Sequence, residues 1–183
     1  GGAGDDTLTL AGVDYKPQNN KIISTVEIDG GTGTDTLDLS IGRFGVDQTP
    51  ITDYQGIKSI KGIEKMIVGN GTTLVSSAIS GQKIELSGNS LVLDAQDATS
   101  IDLSKFTNAK DEDVQVLVNN VKTGTINLAS GNKDFNLVKE TISLTNDATK
   151  VSVKGFEKNN DHMSIANATA DNATLFKTVG NTD

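Results

Sequence analysis

Ten residues at the start of the chain, GGAGDDTLTL, return as GGTGTDTLDL at residues 30–39. Each copy satisfies the nine-residue pattern G-G-x-G-x-D-x-(large apolar)-x in full, with Gly1, Gly2, Gly4, Asp6 and Leu8 in the first and Gly30, Gly31, Gly33, Asp35 and Leu37 in the second. The pattern joins two things that constrain a fold. Glycines without a Cβ allow positive φ and close backbone approach, which lets several carbonyls of a tight turn converge on one point. The alternating run that follows sends Leu8 and Leu37 to one face and Thr36 and Asp38 to the other, so the turn also fixes the register of a short strand. A short aspartate stem adds carboxylate oxygen to the same centre. Such an all-oxygen set suits a hard cation, and calcium takes six to eight oxygens at about 2.3–2.6 Å.

The remainder of the chain reads as strands. A unit of apolar-x-Leu followed by a small residue appears as LTLA at 8–11, LDLS at 37–40, IELS at 84–87, IDLS at 101–104, INLA at 126–129 and ISLT at 142–145. Successive units start 29, 47, 17, 25 and 16 residues apart. These intervals fit turns of a parallel β-solenoid with loops of unequal length, because each unit buries its one apolar face only against its neighbours. An antiparallel sandwich also has short strands at such spacing and stays open on these grounds. Further strand candidates are 21–28, 64–69, 90–94, 114–121 and 150–156, and the best helical stretch, 168–179, is weakened by its Thr and Asn content. Pro17 and Pro50 fall in polar connections, where they break no ladder.

Composition narrows the partners and the chemistry. Of 24 acidic residues 18 are Asp, the formal charge is −8, and there is no Cys. Nucleic acid is therefore not an expected partner, and disulfides and thiolate metal sites are excluded. With five Phe, two Tyr and no Trp, the core is expected to be thin and aliphatic. No apolar run reaches the 18 residues of a membrane span, so membrane insertion is not expected. Residue 1 is Gly, and the 183 residues are expected to form a single domain within a longer polypeptide.

The two glycine-rich copies resemble the repeats of the RTX (repeats-in-toxin) family, bacterial proteins exported by the type I pathway. The segment at 151–165, VSVKGFEKNNDHMSI, is similar to the strand, Phe, loop and Asp-x-apolar-x-apolar stretch that follows the repeats in many of them. With the stretch at 56–71, Thr- and Asn-rich turns and few aromatics, the whole is most like the C-terminal region of an RTX-type surface-layer (S-layer) protein. The resemblance implies an all-β, calcium-binding parallel β-solenoid with irregular rungs. It also implies Ca²⁺ ligation by the carbonyls of Gly1, Gly2, Ala3 and Gly4 with the carboxylate of Asp6, and by those of Gly30, Gly31, Thr32 and Gly33 with Asp35. Tandem rolls stack like turns 18 residues apart, whereas these copies stand 29 apart, so an expanded rung or a degenerate partner turn is expected between them.

The implied function is a secreted structural protein of the bacterial cell surface that folds and self-associates into a two-dimensional lattice on binding calcium. Cell-surface polysaccharide or lipopolysaccharide, reached through other regions, is a further expected partner. A segment of an RTX adhesin or toxin that binds glycans is the alternative reading, as is the noncatalytic domain of an exported hydrolase. Catalysis is not expected: there is one histidine, no nucleophile motif and no aromatic sugar platform. Asp94, Asp97 and Asp102 read as solvated turn carboxylates, DEDV at 111–114 as a solvated loop, His162 as an exposed residue and Asp161 as a turn residue. Phe106, Phe135, Phe156 and Phe176 read as packing residues.

Overall fold

The computed structural model describes residues 1–10, 25–44, 49–129, 138–157 and 159–165. Pro17, Phe135, Phe176, the helical candidate at 168–179 and the start of the 21–28 strand lie outside them. In chain order the strands are β1 (Gly2–Ala3), β2 (Thr7–Thr9), β3 (Val26–Asp29), β4 (Gly31–Thr32), β5 (Thr36–Asp38), β6 (Arg43–Phe44) and β7 (Thr49–Pro50). They continue with β8 (Ile57–Lys61), β9 (Lys65–Val68), β10 (Thr72–Val75), β11 (Ile84–Gly88), β12 (Ser90–Asp94) and β13 (Ser100–Asp102). The last are β14 (Phe106–Asn108), β15 (Gln115–Val121), β16 (Gly124–Asn127), β17 (Lys139–Leu144), β18 (Val151–Lys154) and β19 (His162–Ile165).

The chain is an all-β parallel solenoid. One face is the five-stranded sheet β14-β11-β9-β5-β2, a second is β10-β12-β15-β17-β19, and a third carries β13-β16-β18. The pair β3–β8 lies before β5 and β9 in the chain as β13 lies before β14, and it extends the third face toward the N-terminus. Between β8 and β13 that face is carried by a 3-10 turn at Ser76–Ala78 and the residues after it. Gln82 Nε2 donates to Ile60 O on one side, and Ser80 Oγ accepts from Asp102 N (2.9 Å) on the other. Every ladder between successive turns is parallel. The antiparallel ribbon β6–β7 is a local excursion, and Pro50 sits at its end, where a missing N–H is tolerated.

The parallel stack follows from one-sided burial. β3, β9, β12 and β17 bury every second residue, so the inner face of such a strand needs the strand of the next turn as well as the opposite faces to leave water. The inner columns are aliphatic: Leu8, Leu37, Met66 and Leu86 stack on the first face, and Leu74, Leu93, Val118 and Ile142 on the second. The buried residues form one cluster. Phe106 is buried in it and Phe156 packs against it. Tyr54 departs from the aliphatic rule. It is fully buried, its hydroxyl donates to Leu39 O (2.9 Å), and burial, with Asp38 nearby, pushes its pKa up to about 12.

The six apolar-x-Leu units do not mark one position on successive turns. LTLA, LDLS and IELS lie on the first face, IDLS and INLA on the third and ISLT on the second. Every face buries one side of its strand, so the same period-two pattern arises on all three. The turn lengths are read from the registers instead: 29 residues from Thr7 to Thr36 and from Thr36 to Lys65, then 20 from Lys65 to Glu85.

Candidate cation site at the glycine-rich corner

The two glycine-rich turns lie directly on one another. Gly2 pairs with Gly31 and Ala3 with Thr32 in a parallel ladder, and Gly4 N donates to Thr32 O (2.8 Å). Gly31 (φ +101°) and Gly33 (φ +139°) hold backbone that L side chains rarely adopt, and a Cβ on either would strike the carbonyl of Gly2 or Gly4. The expanded rung between the copies is thus one complete solenoid turn. All ten predicted ligand residues come to one corner of the fold, arranged as two stacked layers.

A column of acids runs through that corner. Asp6, Asp35 and Glu64 each stand immediately before a strand of the first face, and each carboxylate accepts from a backbone N–H. Asp35 Oδ1 takes Asp6 N (2.8 Å), Glu64 Oε2 takes Asp35 N (2.9 Å), and Asp6 Oδ2 takes Gly2 N (3.0 Å). Two more acids bind the turns from outside: Asp5 Oδ1 accepts from Thr34 N (2.8 Å) and Asp29 Oδ1 from Gly31 N (3.0 Å). Gly1 N donates to Asp29 O (2.7 Å) at the same corner.

Asp35 differs from Asp6. It is completely buried, and its Oδ2 has no hydrogen-bond partner. A buried carboxylate oxygen with nothing to receive is costly, by about 1–3 kcal/mol or more for a charged group. A Cβ on Gly30 would sit 2.8 Å from Asp35 Oδ2 and collide with Gly62 O; on Gly1 it would sit 2.7 Å from Asp6 Oδ2 and collide with Gly30 O. The glycine at the first motif position therefore keeps open a cradle between its own aspartate and the carbonyl of the turn stacked upon it. An orphaned carboxylate oxygen and a carbonyl facing one gap form a donor set that suits a hard divalent cation. The Thr32 carbonyl, by contrast, is engaged by the Gly4 amide.

Glu64, Gly62 and Asp29 belong to this corner without matching the nine-residue pattern. The third layer is shortened: Asp29 pairs with Lys61, yet Asp35 meets Glu64, so Gly30–Asp35 is answered by only Gly62, Ile63 and Glu64. The signal that finds Glu64 is an acid followed by x-apolar-x-apolar. It recurs as Asp6-Thr-Leu-Thr-Leu, Asp35-Thr-Leu-Asp-Leu and Glu64-Lys-Met-Ile-Val.

Asp94 and Asp102 bond the turns that follow their strands. Asp94 Oδ1 accepts from Gln96 N (3.1 Å) and Asn120 Nδ2 (3.1 Å); Asp102 Oδ1 accepts from Ser104 N (3.1 Å) and Ser104 Oγ (2.6 Å), which lowers its pKa; Asp97 is exposed. Asp111, Glu112 and Asp113 are exposed, and so is His162. Among the described residues no three His, Cys, Asp or Glu side chains are grouped so as to hold a metal ion between them. No helix among them is long and apolar enough to cross a membrane. No protein-family model matches the chain, nor does any curated protein or solved structure.

Proposed function

We propose that the chain is a calcium-stabilised structural segment of a secreted, surface-layer-type protein, with Ca²⁺ held at the corner of Gly1–Asp6, Gly30–Asp35 and Gly62. The observation that carries this reading is the fully buried Asp35 with an unpartnered Oδ2, beside a Gly62 carbonyl whose close approach only glycine at position 30 permits. Asp35 and the Gly62 carbonyl would hold the ion, and Asp6 with the Gly30 carbonyl repeats the arrangement one turn earlier. The bound ion supplies positive charge to a corner crowded with Asp5, Asp6, Asp29, Asp35 and Glu64.

Folding then becomes conditional on calcium. Where calcium is scarce, the carboxylates repel and the glycine-rich turns keep their chain entropy; where it is plentiful, ion binding adds directly to folding free energy. A site of the extracellular class, with Kd on the order of 10⁻⁴–10⁻³ M, responds across that step. At free calcium about 10 times Kd each such site adds about 1.4 kcal/mol. The elongated stack of parallel strands supports a structural role, with self-association into a lattice through its faces and ends.

Calcium added to chelator-treated protein should raise the β-sheet circular dichroism signal and the thermal midpoint, and Asp35→Ala should remove most of that response. A chain that is folded in chelator and indifferent to millimolar calcium overturns the reading. Electron microscopy of the calcium-loaded protein tests the lattice: ordered sheets support it, and dispersed monomers at the same concentration refute that part alone.

A further inference from the structure

At the opposite end of the solenoid a carboxylate stands in the hydrophobic core. On the second face the inward column runs Leu91, Val116, Glu140, and Glu140 is completely buried. Its neighbour one turn on is Asp161, 4% exposed and placed immediately before β19 as Glu140 is placed within β17. Asp161 Oδ1 accepts from Glu140 N (3.2 Å), the link seen between Asp35 and Glu64.

The donors around this pair are amides, as they are at the glycine-rich corner. Glu140 Oε1 accepts from Ala129 N (2.7 Å), Asp161 Oδ2 from Glu157 N (2.7 Å), and Asp161 Oδ1 from Asn160 Nδ2 at 3.4 Å as well as from Glu140 N. Three of the four carboxyl oxygens are thereby engaged by N–H groups. The fourth, Glu140 Oε2, is buried without a partner, on a residue that lies directly against Asp161 of the next turn. With the other three oxygens taken up, one hydrogen on Oε2 is what the group lacks.

We infer that Glu140 and Asp161 share a single proton, carried on Glu140 Oε2 and donated to Asp161, so that closure of the last described turn depends on pH. Burial first, then the negative charges of Asp161 and Glu157, push the Glu140 pKa up to about 9 against the opposing pull of the Ala129 amide. The other charged groups around the pair are turned outward. Lys139 precedes Glu140 on β17 and bonds Asp113 (2.7 Å), His162 follows Asp161 and is exposed, and on the β15 side the pair meets apolar Val116. No described cation faces Oε2 in place of the proton.

The sign of the pH dependence follows. In the unfolded chain Glu140 ionises near its ordinary value of about 4.3. Between there and about 9 the folded state binds one proton more, so stability is whole below the lower limit and falls as pH rises. One extra proton means a tenfold loss in the folding equilibrium constant per pH unit.

The test is denaturant unfolding of the wild-type chain and Glu140→Gln across pH 5–9, at the lowest fixed calcium concentration that keeps both folded. Gln keeps an acceptor for Ala129 N and places an N–H where the carboxyl hydrogen lies, without titrating. The wild type should lose roughly tenfold per pH unit relative to the variant over this window. Parallel profiles overturn the inference, as does recovery of the high-pH loss by millimolar calcium in the wild type alone, which would make the pair a cation site. Infrared difference spectra of the folded wild type at pH 7 give a measurement free of mutation. A protonated-carboxyl stretch that disappears above about pH 9 supports the shared proton, and its absence at pH 7 refutes it.

Discussion

The two acid stacks, Asp6–Asp35–Glu64 near the start and Glu140–Asp161 near the end, share one backbone device and differ in everything around it. In both, an acid at the entry to an inward-facing strand accepts the N–H of the acid one turn earlier. Both leave one buried oxygen without a partner, Asp35 Oδ2 in the first and Glu140 Oε2 in the second. At the first stack a stacked carbonyl approaches the glycine beside that carboxylate, and at the second the neighbour is another carboxyl, Asp161, in an aliphatic column. On the readings proposed above, a buried carboxylate on the first face takes a divalent cation and one on the second face takes a proton, because a stacked carbonyl lies beside the former and a second carboxyl beside the latter.

The largest effect expected on this comparison comes from closing the cradle. Gly30→Ala places a methyl group against Gly62 O and Asp35, backbone and a buried side chain that have no room to retreat. A loss of about 3 kcal/mol is expected, read by denaturant unfolding, together with loss of the calcium response. Asp35→Asn comes next. In chelator Asn retains an oxygen for Asp6 N and removes a buried charge, so stability should hold or rise. At calcium 100 times Kd the wild type should lead by up to about 2.7 kcal/mol, the whole linkage contribution of the site. Equal calcium responses in Asp35→Asn and wild type would erase the distinction drawn between the two stacks.

Much of this architecture is legible in the sequence, and the exceptions have physical causes. Thr7 and Thr36, Leu8 and Leu37 pair in register, as the two GGxGxD copies require. Strands at 90–94 and 115–121 lie within one residue of their alternating runs. The assignment of units to faces was not legible, because a solenoid buries the same pattern on every side. Glu64 escaped the glycine pattern because its turn is three residues shorter, and Glu140 because ETISL lacks glycines before it. Both carry the shorter signature of an acid followed by x-apolar-x-apolar, as does Asp161-His-Met-Ser-Ile. What that signature cannot convey is the direction in which nearby carbonyls and amides point, since that depends on turns brought together from 20 to 30 residues away.

The smallest effects sharpen the contrast within the first stack. Asp6 and Asp35 occupy equivalent motif positions, but Asp6 is only half-buried and its Oδ2 already accepts from Gly2 N. Asp6→Ala removes one exposed hydrogen bond, expected to lower stability by about 0.5–1.5 kcal/mol in chelator, with a weaker loss of calcium response than Asp35→Ala produces. Gly2 lies one residue from the cradle, yet a Cβ there meets nothing within 4 Å, and its φ is outside the left-handed region. Gly2→Ala should therefore change stability by less than about 0.5 kcal/mol in calcium or chelator. The invariance is informative because Gly1, Gly2, Gly30 and Gly31 look alike in the sequence. If Gly2→Ala abolished the calcium response as Gly30→Ala does, the requirement would be for flexible turns in general, and the specific gap between Asp35 and the Gly62 carbonyl would lose its role.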